Sequence, residues 1–281
     1  MCFFCGPDVD GSRGGPWQAR RAFLLAAAGS AALPALAQGD VGRASVARNF
    51  GSADNIEQAG TQQYGKLMAQ AKAKGALAPP GNAQLQRLRA IAQRIIPFAA
   101  QWNPRAAQWK WEVNLIGSKQ INAFCMPGGK IAFFTGILEQ LKLTDDEVAM
   151  VMGHEMAHAL REHARARMAK SAGTGAALSI TAQLLGLGQV GDMAARAGTQ
   201  LISLQFSRSD ESEADLVGLE LAARAGYDPQ ASVSLWTKMA AASKNQGGLS
   251  FLSTHPSGPD RIRTLQANVP KVERLYREAK R

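Results

Sequence analysis

The chain has 281 residues, enough for one or two domains with a substantial hydrophobic core. Apolar residues make up 46% and charged residues 19%, a composition that excludes a disordered or collagen-like chain. The formal net charge is +10, yet no basic cluster with interleaved aromatics accompanies it, so no nucleic-acid partner is expected.

Residues 1–37 differ from the rest. Arg20-Arg21-Ala22-Phe23-Leu24-Leu25 opens an uncharged run to Leu36, too short to span a membrane. Ala35-Leu36-Ala37 closes it on a small-x-small site before Gln38. This is the layout of a cleaved secretory signal, and the paired arginines resemble a twin-arginine signal. A general secretory signal that happens to hold two arginines is the other reading, and either predicts export to the periplasm or beyond. Cleavage removes Cys2 and Cys5, three arginines and two aspartates, leaving a charge of +9 and Cys125 as the sole thiol. No intrachain disulfide is then possible.

Residues 38–52 read as a Gly/Ser/Ala linker. A polar helix is expected over 55–74 and a second over 83–102, the latter with Leu85, Leu88, Ile91, Ile95 and Ile96 on one face. Strand-like runs follow at 109–116, 120–126 and, after Pro127-Gly128-Gly129, at 130–135. From Gly136 onward the pattern is almost wholly helical. Residues 171–191 carry no charge but hold five glycines, which favours a buried or site-covering helical hairpin. Peripheral membrane contact through 171–191 is the alternative.

Thr144-Asp145-Asp146-Glu147 is a capping-box helix start with acids in its first turn. The helix it opens carries His154-Glu155-Met156-Ala157-His158. His154 and His158 stand one turn apart on a common face, so both imidazoles can reach one cation. Glu155 lies about 100° round the helix, where a general base for zinc-bound water belongs. His163, about 140° off the ligand face, is expected to be an exposed helix residue. The better third ligand is Glu211 in Ser207-Arg208-Ser209-Asp210-Glu211-Ser212-Glu213-Ala214-Asp215. Glu211 and Asp215 share a face at i and i+4, so Asp215 can orient a ligating histidine, while Glu213 points nearly opposite.

Together with A-G-Y-D-P (225–229) and T-H-P-S-x-P-D-R-I (254–262), these motifs resemble the gluzincins related to HtpX, BepA, Oma and the CAAX prenyl protease. Asn122-Ala123-Phe124-Cys125-Met126-Pro127-Gly128-Gly129-Lys130-Ile131 is similar to that family's strand-turn-strand. The resemblance covers about residues 60–270. It implies an α+β, predominantly helical zincin-like fold with a small sheet edge, and one Zn2+ held by His154, His158 and Glu211. Glu155 would be the base and Asp215 a support. It also implies that a protein or peptide substrate adds as a strand near Asn122, Ala123 and Phe124, since an open edge binds extended backbone while reading little sequence. His255, which matches a histidine over the zinc in BepA-like members, would either occupy the open position or swing aside to stabilise the oxyanion. Arg261 is read as part of its helix's polar face, with a second electrophile as the other option.

The expected organisation is a signal peptide (1–37), a linker with an N-terminal helix (38–81) and a zinc metallopeptidase domain (82–281). The expected function is an exported endopeptidase acting on unfolded or misassembled envelope proteins, in possible contact with assembly machinery. An envelope chaperone or assembly factor with a latent or structural zinc is the rival.

Overall fold

Two glycines set the central crossing of this fold. A computed structural model of the chain describes residues 41–49, 51–172, 205–245, 250–255 and 260–281. The proposed signal segment, and residues 173–191 of the uncharged stretch, lie outside them. All the elements below belong to one unit, Gly39–Arg281.

Helix α1 (Ala53–Ala73) starts on Ser52, whose hydroxyl accepts from the Asn55 amide, and α2 (Ala83–Ile95) starts on Asn82, whose side-chain Oδ1 accepts from the Leu85 amide. The expected second helix is shorter than its apolar pattern. Pro97 lacks the N–H an α-turn needs, and the chain continues as a 3-10 helix, Ile96–Gln101. Three strands follow: β1 (Glu112–Ile116), β2 (Ala123–Met126) and β3 (Lys130–Phe134). Their order is β1-β3-β2, with β1 parallel and β2 antiparallel to β3. The turn from β2 to β3 uses Gly128 (φ 86°) and Gly129 (φ 77°), left-handed positions that disfavour other residues. The outer edge of β1 is partly covered, because Ala78 donates to the Leu115 carbonyl at 3.0 Å and Gly117 to that of Ala76 at 2.7 Å. Among the described residues no strand pairs with the outer edge of β2.

Tyr64, Met68 and Ala71 of α1 pack against Phe124, Met126 and Ala132, closing the sheet on that side, and the Tyr64 hydroxyl donates to the Ile131 carbonyl at 2.6 Å. Helix α3 (Thr135–Leu141) leads into α4 (Asp145–Leu160), whose N-terminus is the expected capping box between Thr144 and Glu147. Every residue of α4 from Glu147 to Leu160 is buried, so it is the central helix rather than a one-sided amphipathic one. It packs against β2 and, most extensively, against α6 (Arg208–Arg224). Also present are α5 (His163–Ala172), α7 (Ala231–Asn245), α8 (Ser250–Thr254) and α9 (Arg261–Ala279). Among the described residues no helix is long and apolar enough to cross a membrane.

At the α4–α6 crossing Gly153 faces Gly218. A Cβ on Gly218 would sit 2.6 Å from the His154 amide nitrogen, and one on Gly153 would sit 2.7 Å from the Gly218 carbonyl. Glycine in a helix interior costs about 1 kcal/mol relative to alanine, and here the close approach offsets it. Gly218→Ala is therefore expected to destabilise by about 2–3 kcal/mol, because backbone rather than a pliable side chain must give way. The exposed Ser212→Ala in the same helix should change stability by no more than about 0.5 kcal/mol. Urea unfolding of the two variants checks this, and equal midpoints would show that the helices do not meet there.

Candidate active site

The close crossing brings one turn of α4 against the first turns of α6. His154 and His158 project from α4 and Glu211 and Asp215 from α6, all buried. The His154 and His158 Nε2 atoms stand 3.1 Å apart, and each is 3.4 Å from an oxygen of Glu211. His255 follows α8. Its amide donates to the Phe251 carbonyl and its ring stacks on that of Phe251 at 4.4 Å. Its Nδ1 lies 3.1 Å from Glu211 Oε1 and 3.4 Å from His154 Nε2. One donor atom from each of His154, His158, Glu211 and His255 thus falls within 4.8 Å of all the others.

The spacings among His154, His158 and Glu211 fit a metal ion. Zinc bound tetrahedrally at 2.0–2.1 Å needs donors about 3.3–3.4 Å apart, and nitrogens and a carboxylate are the donors it takes. Burial would raise the Glu211 carboxyl, but hydrogen bonds from His154, His158 and His255 outweigh it and hold it well below the usual range. His158 is pushed well below the usual histidine value, chiefly by burial.

His154 Nδ1 faces Asp215 Oδ1 at 3.0 Å, leaving Nε2 for the metal side. Glu155 is buried beside the cluster rather than in it. Its Oε1 accepts no hydrogen bond among the described residues and lies 3.5 Å from His255 Nε2. Burial raises its carboxyl, with His255 and His154 pulling the other way.

Two expectations are corrected here. Arg261 is not on a polar helix face but 8% exposed. It donates twice to Asp215, at 2.6 and 2.7 Å, and once to Glu211 at 2.9 Å, with its guanidinium 3.4 Å from the centre of the Trp236 ring. His163 is not exposed either, at 2%. The 140° estimate assumed one continuous helix, whereas α4 ends at Leu160 and Glu162 takes φ 57° before α5 begins. That break returns His163 beneath His158, where the two Nδ1 atoms face each other at 3.0 Å. Glu213 does point away from the cluster, and His163 Nε2 and Arg161 meet it there.

A groove of about 740 Å³ runs from the cluster along β2. Glu155, His158 and His255 line one part, and Asn122, Ala123 and Phe124 line its β2 wall. Ile56 and Glu57 of α1 and Arg165 of α5 lie along it too. Cys125 also lines it, a buried free thiol whose ionisation burial and the nearby Glu155 make harder.

A mainly helical domain, in which a His-Glu-x-x-His helix meets an acidic second helix beside a short sheet, has the zincin-like metallopeptidase fold. Residues 82–269 match the model of peptidase family M48, and the chain belongs to that family. It is 36% identical over 185 residues to the mitochondrial metalloendopeptidase OMA1 of Schizosaccharomyces pombe, covering 65% of this chain and 52% of that protein. It is 27% identical over 199 residues to the metalloprotease LoiP of Escherichia coli, covering 69% of this chain and 73% of that one. A putative beta-barrel assembly-enhancing protease of Vibrio cholerae is 32% identical over 162 residues, 53% of this chain and 32% of that protein. The chain spans about half the length of the yeast OMA1 it matches.

Proposed function

We propose that this protein is an exported zinc endopeptidase that cuts unfolded or misassembled envelope proteins. The observation that carries the reading is the convergence of four possible metal donors beside the buried Glu155 carboxylate, whose Oε1 accepts no hydrogen bond among the described residues, at the end of a groove bordered by a β2 edge with which no described strand pairs. His154, His158 and Glu211 would hold the ion. A bound zinc would supply the Lewis acidity that makes water nucleophilic at neutral pH. Glu155 takes the water's proton and returns it to the leaving amine, a role its burial suits by keeping its affinity for protons above that of an ordinary glutamate. The outer edge of β2 orients extended substrate backbone near Asn122, Ala123 and Phe124, and Asp215 with Arg261 fixes the His154 ring. The signal-like sequence of residues 1–37 supports export, and the relatives' names support proteolysis.

The position of His255 favours a second reading. Its Nδ1 joins the donor set, 3.1 Å from Glu211 Oε1 and 3.4 Å from His154 Nε2, as expected of a latent enzyme or of a chaperone with a closed site. The full chain loaded with zinc is to be incubated with an unfolded protein, beside His255→Ala and a chelator-treated control. Cleavage by wild type, abolished by the chelator, is the expected result. Cleavage by His255→Ala alone would make His255 a plug, and zinc-loaded forms that hold the substrate without cutting it would replace the peptidase reading with the chaperone one.

A further inference from the structure

We infer that His163, held by Glu213, is the positioning residue that presents His158 to the metal. The inference rests on His158 being a ligand, as proposed above, and adds what fixes its ring.

Each ligand histidine has its second nitrogen engaged, but by different means. His154 meets a carboxylate directly, at Asp215. Among the described residues no carboxylate meets His158 Nδ1. It has His163 Nδ1, at 3.0 Å, and His163 Nε2 lies in turn 3.3 Å from Glu213 Oε2. Only one proton can sit between two facing Nδ1 atoms. Ligation through Nε2 requires a lone pair there, so the proton of neutral His158 is on Nδ1 and His163 accepts it. The His163 proton is then on Nε2, aimed at the Glu213 carboxylate. The opposite polarity would put a proton on His158 Nε2 and remove it from the donor set. Glu213 thus selects the tautomer of a ring it does not touch.

The carboxylate is itself anchored. Arg161 donates to Glu213 and, through its other arm, to the Gly42 carbonyl at 2.9 Å. His163 and Glu213 are 2% and about one-sixth exposed at the side chain, so water competes little for these bonds. The Phe206 ring, stacked on His158 at 4.0 Å, restricts the remaining rotation.

Two measurements on the full chain test this. The chain has four histidines, so imidazole nitrogen NMR of the zinc-loaded protein can read each tautomer. Expected are Nδ1–H for His158 and Nε2–H for His163, and finding His163 protonated at Nδ1 overturns the inference. Zinc affinity by chelator competition is the second. His163→Leu should weaken it about 10- to 100-fold, whereas His163→Gln, which can still accept from His158 and donate to Glu213, should stay within about threefold. Wild-type affinity in His163→Leu overturns the inference. If that variant does not fold, Glu213→Ala replaces it with the same expectation, and the tautomers are read on unaltered protein. His158→Ala separates the two levels. If it binds zinc as tightly as wild type, His158 is not a ligand and both fall. If it loses zinc while His163→Leu keeps it, only the positioning role falls.

Discussion

Glu155→Gln is expected to lower the rate of peptide cleavage by about 10²- to 10⁴-fold while leaving zinc affinity within a few-fold of wild type. The split follows from geometry. Glu155 lies beside the four-donor cluster and is not one of its members, so an isosteric amide leaves the cluster His154, His158, Glu211 and His255 intact. What the amide lacks is basicity. It cannot take a proton from water or return one to the leaving amine. Its carboxylate Oε1 has no hydrogen bond among the described residues, and the substitution gives up there only the 3.5 Å contact with His255 Nε2. Steady-state cleavage and chelator competition on the same preparations check it. Full activity in Glu155→Gln would sink the assignment of the base, and a large loss of zinc would show that this carboxylate ligates.

Arg261→Met is expected to destabilise the metal-free protein by about 3–5 kcal/mol. The guanidinium, 8% exposed, makes ion pairs with both Asp215 and Glu211, which His154 also faces. A methionine fills much of the same volume but leaves two buried carboxylates without it, and stranding a buried charge costs more than the pair itself contributes. The directions of the carboxyl shifts agree. Burial would raise Asp215, and Arg261 together with His154 holds it below the usual aspartate value. Arg261→Lys should fall between, since an ammonium cannot reproduce the two-pronged contact with Asp215. Zinc affinity should weaken about 10-fold in Arg261→Met, because Asp215 would then hold the His154 ring less firmly. Urea unfolding of the three metal-free proteins measures the first effect, and a Met variant as stable as wild type would contradict it.

Both substitutions bear on how much could be read before the fold was known. The Thr144–Glu147 cap, the helix behind it and the His154/Glu155/His158 set were legible because they depend on contacts within one helix. Glu211 with Asp215 was legible for the same reason, being one face of α6. The short strands were placed to within a few residues, and substrate addition at an edge near 122–134 was expected from family resemblance rather than from periodicity. Arg261 and His163 were misplaced. An arginine opening a helix and a histidine five residues past another carry no local sign of burial. The carboxylates they meet lie far along the chain, at Glu211 and Asp215 for Arg261 and at Glu213 for His163.

Helical periodicity and side-chain chemistry therefore pointed to His154, His158 and Glu211 as possible metal donors and to Glu155 beside them, whereas His255, the fourth member of the donor cluster, was expected only from the family resemblance. What stands behind each ligand was decided by the tertiary structure. The Gly153–Gly218 contact sets how near α6 comes to α4, and the left-handed turn at Glu162 sets where His163 lies. Orientation of a ligand ring depends on distances between separate elements, and those exist only once the elements have packed.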